Sequence, residues 1–479
     1  MNYAIIFYTL GVVIDFSAAF MLPPFIVALL YRETDAKYFL LSFAICVVLG
    51  VILGGIKPTN KKFYAREGYV MVALSWIIIS LIGALPFYLS GSIPSYIDAV
   101  FETISGFTTT GATILTDVEK LSHGMLFWRS FTHWVGGMGV LVFILAILPL
   151  AGGENMHLMK AESPGPTVGK LVPKLRKTAF YLYAIYFSMT VIEFVLLVLN
   201  HMPVFDAICV SMGTAGTGGF GIKNDSMASY GVSAQAIITV FMFLFGVNFS
   251  FYFLIIMKRF KEAFKMTEVI CYFAVFLIVS LLITFNIMPT YGGFWRNFHE
   301  ATFAVSSVMT TTGYATADFN LWPGFSKTLL VIIMFSGACA GSTGGGMKIS
   351  RFILYAKSAA REISSLMHPR SVKVIKFDGK AVERSVLQSA NVFFITYFFI
   401  YIISLVIVSL DNFDLITTFT SVAATINNIG PGLELVGPAG NFSMFSPLSK
   451  IVLMFDMLAG RLEIFPLVLL FTPSIWKKY

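Results

Sequence analysis

Ser105-Gly106-Phe107-Thr108-Thr109-Thr110-Gly111-Ala112-Thr113 has a near copy further along the chain, Val308-Met309-Thr310-Thr311-Thr312-Gly313-Tyr314. Looser versions stand at Thr217-Gly218-Gly219-Phe220-Gly221 and at Asn427-Asn428-Ile429-Gly430-Pro431. Gly lets the backbone turn its carbonyls toward an axis, and Thr adds a hydroxyl acceptor on a compact side chain. Such a tract can therefore replace the water around a small cation. A single tract of this kind is ordinary membrane-helix sequence, since small residues let helices approach closely. Four at corresponding places point to four backbone segments around one axis. Their register agrees as well: Gly111, Gly219 and Gly313 each follow an acidic residue, Asp98, Asp206 and Glu300, by thirteen positions. Asp414 precedes Gly430 by sixteen, which predicts a fourth short helix about one turn longer. Gly218 in place of a Thr predicts a wider or more flexible second layer.

Around these tracts the chain is 57% hydrophobic and 12% charged, with a mean hydropathy of +0.81. A soluble domain carries about 25% charged residues, so this is an integral membrane protein. Ten full spans are expected, at 4–30, 38–56, 68–90, 126–150, 179–200, 232–257, 268–288, 326–347, 391–410 and 448–471. The shorter pieces at 97–109, 204–216, 298–311 and 413–427 end in the Gly/Thr tracts and read as re-entrant pore helices. The fold class is therefore an all-α polytopic membrane protein, with four pseudo-symmetric helix/pore-helix/helix units around one central pore. Residues 1–67 add two N-terminal transmembrane helices, and the units occupy 68–159, 178–265, 266–384 and 385–479.

Orientation follows from Lys and Arg. Lys57, Lys61, Lys62 and Arg66, then Lys160, Lys170, Lys174, Arg176 and Lys177, then Lys258, Arg259, Lys261 and Lys265 fall on one side if the short pieces re-enter. Segment 348–384, Lys477 and Lys478 join them. That side is cytoplasmic, as are both termini. The net charge of +8 is this inward bias, and no aromatic-interleaved basic domain suggests nucleic acid. Four cysteines have neither metal-ligand nor disulfide-scaffold spacing. The apolar N-terminus is too long for a cleaved secretory peptide and reads as retained. The polar stretch near 348–390 reads as a connector whose leading amphipathic helix ends at His368-Pro369.

Gly337-Ala338-Cys339-Ala340-Gly341-Ser342-Thr343-Gly344-Gly345-Gly346-Met347-Lys348 interrupts a span. Each Gly costs a helix roughly 1 kcal/mol against Ala, so the expectation is a non-helical intramembrane loop below the tracts, acting as a gate. Met347 between Gly346 and Lys348, and membrane-like flanks, exclude a phosphate loop. Arg461 is the other outlier; it must face protein or water, with Asp456 and Glu463 as candidate partners, and near the axis it would set a barrier to cations. Asp98, Asp206, Glu300 and Asp414 read as caps at the starts of the short helices, or as charges at the outer mouth. Arg129 and neighbouring aromatics read as the outer anchor of a span, and His133 as a hydrogen-bonded structural group. No nucleophile–base arrangement appears, so an enzyme is not expected.

The tracts, Gly341 to Lys348, and Met457-Leu458-Ala459-Gly460-Arg461-Leu462-Glu463 together resemble the Trk/Ktr/HKT superfamily, and within it the bacterial TrkH/TrkG potassium transporters. The resemblance covers 68–479, and the two extra spans favour the Trk type. It implies a K+ filter at Thr109, Thr110, Gly111, Thr217, Gly218, Gly219, Thr311, Thr312, Gly313, Asn428, Ile429 and Gly430, with K+ the only metal. It implies a gate at Gly341, Ser342, Thr343, Gly344, Gly345, Gly346 and Arg461. An inner-membrane homodimer follows, regulated by a cytoplasmic TrkA-like nucleotide-binding partner. This chain itself would need no cofactor; nucleotide or NAD would sit on that partner. The alternatives are a K+/H+ or K+/Na+ symporter working by alternating access and, remotely, a non-transporting membrane scaffold.

Overall fold

The structure, a computed structural model, describes residues 1–56, 65–137, 139, 175–370 and 373–476. Six helical stretches there are long and apolar enough to cross a membrane: Tyr3–Leu30, Ala36–Gly54, Arg66–Leu89, Phe180–Leu199, Thr267–Asn286 and Arg384–Asp411. The basic residues Lys57, Lys61, Lys62, Lys160, Lys170, Lys174, Lys477 and Lys478, and most of the second half of the 126–150 span, lie outside the described residues.

The N-terminal layer is α1 (Tyr3–Ala19), α2 (Leu22–Leu30) and α3 (Ala36–Gly54). A Cβ on Gly11 of α1 would strike the backbone of Gly54, with the Gly50 carbonyl 2.8 Å away. The α1 and α3 backbones thus meet through glycines, as membrane helices do when small residues line the seam.

The remainder repeats a theme of outer helix, short helix, extended tract and inner helix. First come α4 (Ala65–Gly83), α5 (Leu85–Leu89), α6 (Tyr96–Phe107) and α7 (His123–Gly137). Next are α8 (Leu175–Leu199), α9 (Val204–Gly216), α10 (Val232–Phe245) and α11 (Phe249–Ile256). Then follow α12 (Thr267–Asn286), α13 (Phe294–Met309), α14 (Gly324–Ser336) and α15 (Ile349–Met367). Last are α16 (Arg384–Val408), α17 (Leu415–Ile426), α18 (Pro447–Arg461) and α19 (Phe465–Leu470).

Two expectations are corrected here. The inner spans 232–257 and 448–471 are not continuous; like 326–347, they break midway. Helices α10 and α11 bend by 90°, with Asn248 capping α11 by accepting from Ser250 N. Helix α14 stops where Gly337 takes φ +61°, and α18 stops before Glu463 and Ile464, at φ +51° and +70°. The fourth short helix is also not longer. Helices α6 and α17 both have 12 residues, α9 has 13 and α13 has 16. Asp414 is the N-cap of α17, whereas Asp98 and Asp206 are third residues of their helices, and this difference absorbs the extra spacing.

Replacing Gly11 with Val should force α1 off α3 and destabilise the protein by about 1–3 kcal/mol, the usual cost of overpacking. Gly54→Ala, whose added Cβ meets nothing within 4 Å, is the control. Thermal unfolding in detergent should show a lowered Tm for the first and an unchanged Tm for the second.

Candidate functional site

The four short helices finish with one hydrogen-bond pattern. Thr109, Thr217, Thr311 and Asn428 take left-handed φ of +56°, +52°, +60° and +55°. Their N–H groups return 3.0–3.2 Å to the carbonyls of Gly106, Thr214, Val308 and Thr425. The next N–H groups reach 2.8–2.9 Å to Ser105, Gly213, Ser307 and Ala424. This is the Schellman ending, normally made by Gly. A β-branched Thr in that conformation is strained, by an amount on the order of 1–3 kcal/mol, so its side chain must be wanted there.

One residue beyond each turn, the chain passes into the ring glycines Gly111, Gly219, Gly313 and Gly430, at φ +80°, +78°, +87° and +93°. A Cβ on Gly111 would strike the Gly218 carbonyl oxygen; on Gly219, that of Thr312; on Gly313, that of Ile429; on Gly430, that of Thr110. The four contacts run from each tract to the next and return to the first, so the tracts form a closed ring. All four glycines line one cavity of about 240 Å³, shared with Thr113, Asn224 and Pro431.

Side chains behind the ring differ between units. Thr110 and Thr108 hydroxyls meet at 2.8 Å, and Thr312 and Thr310 at 2.7 Å. Asn428 Nδ2 donates to Thr110 Oγ1 at 2.9 Å and to the Met457 carbonyl at 2.8 Å, tying the fourth tract to the first. Ile429 is fully buried. His133 on α7 contacts the Gly106 carbonyl through Nδ1 at 2.9 Å and accepts from Phe220 N through Nε2 at 3.2 Å.

Arg129, one turn before His133, is not an outer anchor. It is 2% exposed, and its Nε meets Glu102 Oε1 at 2.8 Å while one terminal nitrogen donates to the Gly221 carbonyl at 3.0 Å. The guanidinium also lies 4.0 Å from the centre of the Phe220 ring. Glu102 completes the knot by accepting from Ile114 N and Thr113 Oγ1, both at 3.0 Å. Sequence reasoning passed over Glu102; a carboxylate inside a short membrane helix, upstream of an intramembrane Arg, was the available signal.

The four acids part ways. Asp414 alone among them caps its helix, accepting from Thr417 N at 2.9 Å, and hydrogen bonding by Thr417 holds its carboxyl below the ordinary range. Asp98 pairs with Lys450 of α18 at 2.6 Å, and Asp206 accepts from Tyr230 at 2.9 Å. Glu300 lies well inside α13 and accepts from Thr316 at 2.6 Å, so the capping expectation fails there.

On the face of the ring opposite the cavity lies the 337–348 loop. Gly345 N donates to Thr311 Oγ1 at 2.7 Å, and a Cβ on Gly344 would stand 2.9 Å from the Thr310 carbonyl. Thr343 Oγ1 donates to the Phe245 carbonyl at 3.2 Å, and Gly341 O accepts from Phe249 N at 3.1 Å, so the loop is stitched to the α10–α11 bend. Buried Lys348 curls back onto the Gly344 and Gly345 carbonyls, and Ser342 bonds the Cys339 carbonyl at 2.7 Å. Gly346 takes φ +71°. Arg461 donates to the Gly136 carbonyl at 2.5 Å, the Thr343 carbonyl at 2.8 Å and Thr109 Oγ1 at 3.2 Å. Its expected carboxylates are engaged elsewhere: Glu463 with Arg351, and Asp456 with Ser404 at 2.7 Å.

Known proteins share this arrangement of chain. The family model described as TrkH, a cation transport protein, matches residues 36–291 and 295–478. The chain is 36% identical over 485 residues to the "Trk system potassium uptake protein TrkH" of Salmonella typhimurium, covering 100% of both. It is 33% identical over 470 residues to the "Trk system potassium uptake protein TrkG" of Escherichia coli K12, covering 95% of each. The crystal structure of the potassium transporter TrkH from Vibrio parahaemolyticus matches with a TM-score of 0.90 at 33% identity, covering 100% of both chains. The chain belongs to the TrkH family, a family of multi-pass membrane transporters and not of enzymes.

Glu102→Gln leaves the Arg129 charge buried without its counter-ion, and should cost about 3–5 kcal/mol. The double variant Glu102→Leu with Arg129→Met should be less destabilised. Thermal unfolding of all three proteins in detergent measures this; a Gln variant as stable as the parent would show that the pair does not hold the ring's first and second tracts.

Proposed function

We propose that this TrkH-family chain takes up K+ through a gated pore. Its selectivity filter is the ring of Thr109–Gly111, Thr217–Gly219, Thr311–Gly313 and Asn428–Gly430. Its gate is the Gly341–Gly346 loop together with Arg461. The observation that carries this reading is the closed sequence of backbone contacts from Gly111 through Gly219, Gly313 and Gly430 back to Thr110. It encloses a single axis bounded by backbone oxygens, which is what dehydrating a small cation requires. The relatives' names as potassium uptake proteins make K+ the cation.

A K+ ion enters from the cavity, exchanges water for ring oxygens, and meets the loop on the other face. There the backbone of Gly344 and Gly345 packs against residues 310, 427 and 428, and the Arg461 guanidinium sits beside Thr109. Both oppose passage, the loop by volume and Arg461 by charge. The gate opens when the loop withdraws and Arg461 gives up the Thr343 carbonyl.

The same reading places the chain in the bacterial inner membrane with both termini cytoplasmic and four units at 68–159, 178–265, 266–384 and 385–479. It works as a homodimer under a cytoplasmic TrkA-like nucleotide-binding protein. Lys258, Arg259, Lys261 and Lys265, with the α15 connector, offer that partner a basic face. One fixed ring favours a channel-like route over coupled transport by rocking repeats.

Reconstituted flux under imposed K+, Na+ and proton gradients tests this. A reversal potential following K+ alone is expected; one shifted in fixed ratio by the Na+ or proton gradient would establish coupled transport instead. Gly111→Ser or Gly313→Ser should lower K+/Na+ discrimination, since any Cβ meets the next tract's carbonyl. Deleting 343–345 should raise flux, and should also lower discrimination, because Thr311 loses its donor. Unchanged flux from a folded deletion protein would remove the loop from the gate.

A further inference from the structure

The second tract lacks the hydroxyl latch of the first and third. Where the first and third tracts place Thr108 with Thr110 and Thr310 with Thr312, the second has Gly216 and Gly218. Sequence alone reads Gly218 as looseness. The structure gives both glycines another reason, because the space is already filled. A Cβ on Gly218 would fall among the ring atoms of His133, 2.6 Å from Cε1, and one on Gly216 would strike the His133 backbone. His133 is itself completely buried. It belongs to α7 of the first unit, so the missing latch is supplied from the neighbouring unit.

The hydrogen bonds define how it acts. Phe220 N–H points at Nε2, which must therefore carry the lone pair; Nδ1 then carries the proton and donates to the Gly106 carbonyl. One neutral tautomer spans from the end of α6 to the residue directly after Gly219. The Phe220 ring lies 4.1 Å from the imidazole, and the Arg129 guanidinium lies 4.0 Å from its centre. Charged groups around His133 are Arg129 one turn away on α7 and Arg461, held at the Gly136 carbonyl; Glu102 neutralises the former.

We propose that His133 is a positioning residue for cation selectivity: it fixes the Gly218–Gly219 strand against the first tract, substituting for the threonine latch that this strand lacks. The proposal rests on the ring being the filter. It assigns the second layer's geometry to a side chain outside the tract, and makes Gly216 and Gly218 the complement of an imidazole.

The test is K+/Na+ permeability in reconstituted protein for His133→Leu, His133→Gln, His133→Ala, Gly218→Ala and the pair His133→Ala with Gly218→Ala. His133→Leu keeps bulk but offers Phe220 no acceptor, and should lower discrimination by roughly threefold to tenfold, the span of one net hydrogen bond. His133→Gln, whose amide oxygen can accept from Phe220 N, should recover much of it. Gly218→Ala should damage discrimination in the parent and less so once His133 is Ala, since the clash is then gone. Folding is monitored by size-exclusion profile and Tm, which a purely structural histidine would move without the Gln rescue or the coupling. Parent-like discrimination in folded His133→Leu, or equal harm from Gly218→Ala in both backgrounds, would overturn the proposal. Gly111→Ser and Gly313→Ser separate the two failures: if they also leave discrimination unchanged, the ring is not the filter.

Discussion

The left-handed turns at Thr109, Thr217, Thr311 and Asn428 hold the protein's centre together, because each ends a helix deep inside a membrane protein where water is scarce. Helix termini leave carbonyls without partners, and in lipid such groups are costly. The Schellman bonds satisfy part of this set. The remaining polarity is gathered at one axis, where four helix C-termini concentrate partial negative charge. A monovalent cation complements such a place, and everything around it serves to keep four strained strands there.

Bracing differs at each junction although the backbone repeats. The fourth tract is tied to the first by Asn428, which donates to the Thr110 hydroxyl. The first is tied to the second by His133 and by the Glu102–Arg129 pair. The second meets the third where Ser226 and Met227 bond residue 315 and where Tyr314 reaches the Val210 carbonyl at 3.3 Å. Asn320 bonds backbone groups of Glu434 between the third and fourth. What the four tracts share thus resides in φ angles and backbone bonds, while their side chains differ.

This division explains what could be read from the sequence. The four tracts and the glycine-rich loop are local signals, since Gly and Thr at fixed spacing constrain the backbone wherever they occur. The breaks after α10 and α18 are not local. Ile464 takes φ +70° although nothing in its β-branched side chain favours it. At Gly246, where α10 ends, an added Cβ would meet Tyr272 and Thr310 from distant parts of the chain, a close approach that no local pattern announces. Glu102 goes unread in the sequence, and Arg129 and His133 read as an anchor and a structural group, because their relation exists only after α6, α7 and the second tract have been brought together. The spacing of Asp414 does not measure helix length for a simpler reason: it records a move from the third helical position to the cap.

The Thr side chains at the strained turns also join the loop and Arg461 to the ring. Thr311 accepts from the loop through Gly345, and Thr109 accepts from Arg461. A Gly at either position would relieve the strain and remove the acceptor. The two hydroxyls that would sense withdrawal of the loop therefore belong to the turns that set the ring. If the loop and Arg461 are the gate, its closed state contributes hydrogen bonds to the first and third tracts, while the Thr217 hydroxyl turns to the Gly216 carbonyl. By linkage, an ion that favours one ring geometry must then favour one loop position to the same degree. The second tract is braced instead from behind, by His133.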